Sequence, residues 1–157
     1  MPLAPVITFT VAGMPPAPQG SKRYVGNGRM IESSKNVKPW RFLVQQAAVA
    51  LNQPTITGPI SLSCIFLFPR PKSHYTTKGT LKPSAPTFHS VKPDGSKCLR
   101  STEDALVDAG LIQDDARIAI SSHTKRYTTP AEHPGAIITI IPLTRQPNDG
   151  GTEAHAS

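Results

Sequence analysis

The segment "GPISLSCIFLF", residues 58–68, limits the possible folds more than any other part of the chain. Its apolar side chains alternate from Ile60 to Phe68, which is the two-residue period of a β-strand. Ile65 and Leu67 add apolar character to the second face, so we expect the end of this strand to be buried on both sides. A strand of this kind needs a sheet covered by other elements.

Three further strand patterns and a hairpin can build that sheet. "PVITFTVAG" alternates as a strand that ends at Gly13, and "RYVGNGRMIE" is typical of a hairpin with its turn at residues 26–28. "ARIAISSHTKRY" and "GAIITIIPL" predict two strands near the end of the chain.

Two helices are expected between these strands. One runs over about 38–52 with Pro39 in its first turn, and the other runs over about 97–109 and ends at Gly110. The order strand, hairpin, helix, strand, loop, helix, strand, strand predicts an α+β fold. We expect a single domain over residues 1–145, with a mixed β-sheet and two packing helices.

Two segments fall outside the regular elements. Residues 69–91 form a Pro-, Ser-, Thr- and Lys-rich loop that is long for a compact domain, which favours a functional or mobile loop. Residues 146–157 are polar and are expected to be a disordered tail.

The two cysteines and the apolar runs indicate the cellular compartment of such a chain. Cys64 and Cys98 form no metal-binding or redox motif, so buried thiols in a reducing compartment are expected. The N-terminal residues do not have the pattern of a signal peptide, and no apolar run approaches the roughly 20 residues of a membrane span. We expect a soluble, cytoplasmic protein without a membrane partner.

Charge is distributed unevenly along the chain, whose formal net charge is +7. Counting Lys and Arg against Asp and Glu, residues 1–93 carry +10, residues 94–115 carry −4, and residues 116–157 carry +1. A basic majority favours a polyanionic partner, because phosphate contacts release counterions. The local change of sign is the more specific feature.

The acidic residues of positions 94–115 have two interpretations. They can form an ordinary solvated surface, with Arg100 paired to Asp104 one helical turn away. They can instead form a site for Mg²⁺ or Mn²⁺, because hard oxygen ligands without Cys or His suit these ions. The second interpretation requires Asp94 and Asp115 to approach each other, which the periodicity does not decide. Beside a basic surface, such a site can hydrolyse phosphodiesters, with Arg100 on the phosphate.

The stretch "KPD…LRSTEDALVDAGLIQDDARI" resembles the RusA-like Holliday junction resolvases, endodeoxyribonucleases found in phages and prophages. The matching positions are Asp94, Leu99, Arg100, Asp104-Ala105-Leu106, Gly110, Asp114-Asp115 and Ile118. "GMPPAPQGSKRY" also looks like the Pro-rich segment of that family, so the resemblance covers residues 6–142. It implies a homodimer that uses Mg²⁺ (or Mn²⁺) to cut branched DNA in recombination, repair or phage DNA processing. A phage-encoded chain would work in the bacterial host cytoplasm.

The resemblance also implies roles for individual residues. Asp94 and Asp115 match catalytic, metal-binding carboxylates, Asp104 and Asp114 match supporting metal ligands, and Arg100 stands where the family has a catalytic lysine. The second aspartate of the pattern is Ser96 here, which removes one negative charge from the site. Ser96 is also well suited to be the N-cap of the helix.

Ser21 and seven basic side chains elsewhere are candidates for contacts with the DNA backbone, although each can also be an ordinary solvated residue. They are Ser21, Lys22, Arg23, Lys38, Arg41, Lys97, Lys125 and Arg126. Two other functions stay open from the sequence. One is a DNA-binding module whose metal site is weakened at Ser96, and the other is an interaction protein with a charged surface.

Overall fold

The computed structural model describes residues 5–20, 22–24, 26–27, 30–32 and 35–143, with the backbone alone for 22–24 and 30–32. The predicted tail 146–157 and Ser21 lie outside the described residues. The elements are β1 (Ile7–Ala12), β2 (Lys22–Tyr24), β3 (Met30–Glu32), α1 (Val37–Val49), β4 (Ile60–Phe68), α2 (Gly95–Asp108), β5 (Ile118–Tyr127) and β6 (Gly135–Pro142). They follow the order expected from the sequence.

Four strands form one mixed sheet in the order β1-β6-β4-β5, and β2 pairs with β3 as a separate hairpin. The pairs β1–β6 and β6–β4 are antiparallel, whereas β4 and β5 are parallel. Parallel neighbouring strands need a crossover connection, and α2, which lies beside β5, is the connection between β4 and β5. The predicted α+β class, with a mixed sheet and two helices, is confirmed.

The core lies between one face of the sheet and the two helices. Strand β4 carries Leu62, Cys64 and Phe66 into it, all without solvent exposure. Helix α1 contributes Trp40 and Val44, spaced one turn apart. The Trp40 indole N–H donates to the Thr102 hydroxyl of α2 at 3.2 Å, which joins the two helices.

Helix α2 begins earlier than predicted. Asp94 has extended backbone dihedrals and is the N-cap, so Gly95 is the first helical residue. The prediction that Ser96 caps the helix is therefore wrong, because Ser96 already lies inside the first turn. The other end agrees with expectation, since Gly110 has φ +75°, a left-handed conformation that suits glycine after a helix.

The Pro-rich segment before β2 lies against the start of α2. The Ser101 hydroxyl donates to the Ala17 carbonyl at 2.6 Å, and the Gln19 amide N–H donates to the Lys97 carbonyl at 3.0 Å. Proline leaves few backbone donors in this segment, and α2 therefore supplies donors and acceptors to it.

The long loop 69–91 is hydrogen-bonded rather than structureless. A 3₁₀ turn covers Lys72–His74, and Tyr75 bridges to Leu81. Near its end, the His89 N–H donates to the Lys125 carbonyl and the Tyr127 N–H donates to the Thr87 carbonyl, both at 3.0 Å. The loop therefore covers the C-terminal part of β5, one of the two edge strands of the main sheet.

Both cysteines are buried and free, as expected. Burial is the main cause that raises the pKa of each thiol to about 12, so neither is an accessible nucleophile at neutral pH. None of the helices in the described part of the chain is long and apolar enough to cross a bilayer.

Candidate active site

Three of the ten acidic residues of the chain, Glu103, Asp104 and Asp108, lie on α2. Arg100 and Asp104 are one turn apart, and their side chains approach to 4.0 Å. Glu103 is half-buried beside them, whereas Asp108 lies one turn further along the helix. The predicted pairing of Arg100 with Asp104 is confirmed.

The turn after α2 returns two more carboxylates to this surface. Gly110 reverses the chain, and Ile112 is then fixed by a bridge to Ile56, with hydrogen bonds of 2.9 and 3.0 Å on either side. Asp114 and Asp115 follow at once, and the Asp114 carboxylate accepts the Ala116 N–H at 2.9 Å. This turn therefore positions both carboxylates beside α2.

Asp104, Asp114 and Asp115 line one shallow depression of about 310 Å³. Arg41 reaches the same depression from α1, where its guanidinium pairs with Asp108 at 2.6 Å. The cation that we predicted as a DNA contact is thus held in an ion pair at the rim. We call the surface formed by Arg100, Glu103, Asp104, Asp114 and Asp115 the acidic groove.

The carboxylates of the acidic groove perturb one another. Hydrogen bonding to Asp114 is the main cause that raises the pKa of Asp115. Desolvation and repulsion from Asp114 and Asp104 raise it further, and Arg100 opposes the increase. The pKa of Asp114 is lowered, mainly by the Ala116 N–H. Burial is the main cause that raises the pKa of Glu103; the charge of Arg100 opposes the increase, and those of Asp104 and Asp115 add to it. The groove therefore holds more negative charge than Arg100 offsets.

Asp94 lies in a different depression at the start of α2. That depression, about 240 Å³, is lined by Pro18, Lys92, Pro93, Asp94 and Lys97. The helix between Asp94 and Asp104 is about 15 Å long at 1.5 Å per residue. The structure therefore brings Asp104, Asp114 and Asp115 together and leaves Asp94 at the other end of the same helix.

His123 of β5 lies against Gly95, at the start of α2. A Cβ atom on Gly95 would collide with the His123 imidazole, with Nε2 the nearest ring atom. Neither His123 nor Glu103 was among the residues chosen from the sequence. No sequence signal could find His123, because its place depends on the pairing of β5 with β4, whereas Glu103 could have been found as the neighbour of Asp104.

The basic residues that we predicted as DNA contacts lie in different environments. Lys97 is exposed next to Asp94, and Lys38 is exposed in the first turn of α1. The Lys125 ammonium donates to the Val91 carbonyl at 2.6 Å. Arg126 makes two 2.7 Å hydrogen bonds to Glu132, so its charge is already compensated. Lys22 and Arg23 lie in β2, and their side chains are outside the described residues.

The donors of the acidic groove fit a hard divalent cation. They are carboxylate oxygens, and their mutual repulsion at Asp115 is the kind that a bound cation relieves. Within the described residues, no three Asp, Glu, His or Cys side chains are already grouped around one point as metal ligands. The residues therefore supply suitable ligands without a closed cage.

Comparison with known families identifies the family of the chain. The family model described as endodeoxyribonuclease RusA matches residues 13–141, which include the acidic groove, Asp94 and every strand of the main sheet except β1 and the last residue of β6. The chain belongs to the RusA endodeoxyribonuclease family. The resemblance to RusA-like Holliday junction resolvases seen in the sequence is thereby confirmed, and the protein is placed among endodeoxyribonucleases. A search of curated proteins found no significant match.

Proposed function

We propose that this RusA-family protein is a metal-dependent endonuclease that hydrolyses phosphodiesters of branched DNA, with the Holliday junction as its substrate. The observation that supports this most is the acidic groove, in which Asp104, Asp114 and Asp115 accumulate negative charge within a chain of net charge +7. Carboxylates concentrated in an otherwise basic DNA-facing chain are the arrangement that metal-assisted phosphodiester hydrolysis requires.

In this proposal, Asp104, Asp114 and Asp115 of the acidic groove hold Mg²⁺ or Mn²⁺, whereas Asp94 lies in the separate depression at the start of α2, about 15 Å from Asp104 along the helix, and does not share that cation. When bound, the cation neutralises phosphate charge and lowers the pKa of an attacking water. Arg100 stands at the edge of the groove with about two thirds of its side chain exposed, so its guanidinium can reach a phosphate oxygen. Lys97 adds a cation beside Asp94, where the adjoining DNA backbone would pass.

Glu103 has a different part in the same groove. Its half-buried position raises the pKa of its carboxyl group, and Arg100 opposes the increase. Asp115 likewise shares hydrogen bonding with Asp114. Binding of a divalent cation is therefore expected to release protons from the groove, so that cation affinity rises with pH.

The proposal includes a homodimer, because a four-way junction has two strands to cut at symmetric positions. Light scattering on the full chain measures its mass in solution. A mass twice the 16.8 kDa of one chain is expected, and a monomer at the concentrations used for cleavage would contradict this part of the proposal.

The substrate and the cation are tested together in a cleavage assay. The full chain is incubated with a synthetic four-way junction or with linear duplex of the same sequence, in Mg²⁺, in Mn²⁺ or in chelator. We expect paired cuts near the branch point, dependent on the cation, and no comparable cutting of the duplex. Equal cutting of both substrates would contradict junction selectivity, and cutting in chelator would contradict the role of the cation.

A second function is favoured by one observation. Ser96 supplies a hydroxyl where the family pattern has a carboxylate, and the described residues form no closed ligand cage. The alternative is a branched-DNA-binding protein that does not cut. Tight junction binding without cleavage in either Mg²⁺ or Mn²⁺ would establish this alternative in place of the nuclease.

A further inference from the structure

The main sheet has a second face, opposite the one that packs on α1 and α2. Side chains alternate along each strand, so Leu62, Cys64 and Phe66 enter the core while the residues between them point the other way. Strand pairing aligns these outward residues in rows across the sheet. We call this surface the open face, and its three central rows are Ile141, Ser61 and Ile120; Thr8, Thr139, Ser63 and Ser122; and Thr10, Ile137, Ile65 and Thr124.

The open face is uncharged and rich in isoleucine. In the first row, Ile120 is 54% and Ile141 is 40% exposed, which is unusual for side chains of this size. Ile65 and Ile137 of the third row are half-buried. None of the eleven side chains in the three rows carries a charge, although the net charge of the chain is +7. Because phosphate contacts need cations, this face suits a protein surface and not DNA.

The order of the rows is symmetric. Isoleucines stand in the first and third rows, and the second row between them consists of hydroxyl side chains, two of which, Thr8 and Thr139, are hydrogen-bonded at 3.2 Å. A two-fold axis that crosses the strands at the second row places the first row of one copy on the third row of another. Aliphatic side chains then meet aliphatic ones, and hydroxyls meet hydroxyls, as an isologous interface requires.

The size of the open face agrees with a pair of such copies. Four strands about 4.8 Å apart, each about eight residues long, form a face of roughly 500 Å² per copy. A dimer would bury about 1,000 Å² in total, which reaches the range of specific protein interfaces. The nearest charged side chain on this face is Arg126, which follows Thr124 by two residues and is paired with Glu132. This ion pair lies where the polar rim of an interface belongs.

We propose that the open face is the surface through which two copies of this chain dimerise, with the two sheets packed face to face and the helices outward. This inference rests on the proposed function, in which a homodimer cuts both strands of a junction. It leaves the acidic groove of each copy accessible to substrate, because α2 and the turn after it lie away from the open face.

Sedimentation velocity of the full chain, without DNA or cation, tests the interface. Ser122 is an exposed member of the second row, and the two-fold axis brings it against Ser122 of the second copy. Ser122→Asp and Ser122→Lys should each raise the dissociation constant of the dimer at least about 100-fold, because like charges then face each other. An equal mixture of the two variants should restore the dimer, since opposite charges meet, which excludes misfolding as the cause of the loss.

The matched control is Ser121→Asp. Ser121 is the exposed neighbour of Ser122 on the other face of the same strand, so this variant should dimerise like the wild type. A wild-type chain that is monomeric at micromolar concentration overturns the inference, while junction cleavage by that monomer would keep the nuclease. Dimerisation of Ser122→Asp equal to that of Ser121→Asp also overturns it. A wild-type dimer that Ser122→Asp dissociates, but that cuts no junction in Mg²⁺ or Mn²⁺, supports the interface and overturns the nuclease.

Discussion

Glu103 has an environment that its position in the sequence does not reveal. In the string "STEDAL" it is one acid among several, but the fold makes it half-buried near Cys64. Its folded-state pKa is raised by burial and by Asp104 and Asp115. A raised carboxyl pKa means that its contribution to stability is fully present below the ordinary Glu value and is lost as the pH rises through the folded value.

Removing the Glu103 charge is therefore expected to stabilise the cation-free protein at neutral pH. Glu103→Gln should raise the melting temperature at pH 7 by about 2 °C, after allowance for solvent screening, with the gain fading below the ordinary Glu range. Calorimetry in chelator across this pH range measures the effect. A lower melting temperature for the variant at pH 7 would show that Glu103 is favourably paired instead.

Ser96 is the second residue at which the site can be tested. Ser96→Asp adds a carboxylate in the first turn of α2, where the helix dipole favours negative charge. We expect half-maximal cleavage at a Mg²⁺ concentration about 10-fold lower than in the wild type, because a charged ligand replaces a neutral one. Ser96→Ala is the control for loss of the hydroxyl, and an unchanged Mg²⁺ dependence in Ser96→Asp would mean that position 96 does not face the cation.

Among the elements, β5 was predicted correctly as a strand, but its position in the sheet and its contacts with other elements were not predicted. Its alternating sequence does not reveal that it lies at the sheet edge, parallel to β4, with His123 against Gly95. Likewise the period of α2 predicted the helix and the Arg100–Asp104 pair, while its start shifted from about 97 to Gly95. Local periodicity specifies elements, whereas contacts between elements depend on register, which one sequence leaves open.

The end of β5 is held by an ion pair whose effect can be measured. Arg126 pairs with Glu132 in two hydrogen bonds, which lowers the pKa of Glu132 to about 2. A lowered carboxyl pKa stabilises the fold above the ordinary Glu value, and this stability is lost as the pH falls toward 2. The pair therefore connects β5 to the turn before β6 at neutral pH.

Glu132→Gln should lower the free energy of unfolding by about 1 kcal/mol at pH 7, the upper range for a partly exposed pair with good geometry. Urea denaturation of the variant and the wild type at pH 7 and at pH 3 gives the difference, which should shrink at the lower pH. A difference that is equal at both pH values would contradict the ion pair as its source.

At the scale of the whole molecule, the sequence revealed the separation of charge but not which cations face the DNA. The formal net charge is +7, yet Arg41 is paired with Asp108 and Arg126 with Glu132, while Lys97 is exposed beside Asp94. Pairing reduces the counterion release that a cation contributes on binding phosphate. The charge available to DNA is therefore smaller than the formal count.

Salt dependence of junction binding distinguishes these cations. Lys97→Gln should weaken binding and reduce the slope of log affinity against log salt by about 1, the value for one lost phosphate contact. Arg126→Gln should change the slope much less, because Glu132 already compensates its charge. Filter binding or fluorescence anisotropy in chelator measures both, and equal slopes for Lys97→Gln and the wild type would remove Lys97 from the interface.

The central claim is that the acidic groove is the site at which the phosphodiester is cut. Single-turnover cleavage of a four-way junction by Asp115→Asn, with junction binding measured on the same preparation, tests it most directly. We predict that binding stays within a few-fold of the wild type while the cleavage rate in Mg²⁺ falls at least about 100-fold, or nearly 3 kcal/mol of transition-state stabilisation. Glu132→Gln, an acid outside the groove, should cut at close to the wild-type rate. Cleavage by Asp115→Asn at the wild-type rate would contradict the claim.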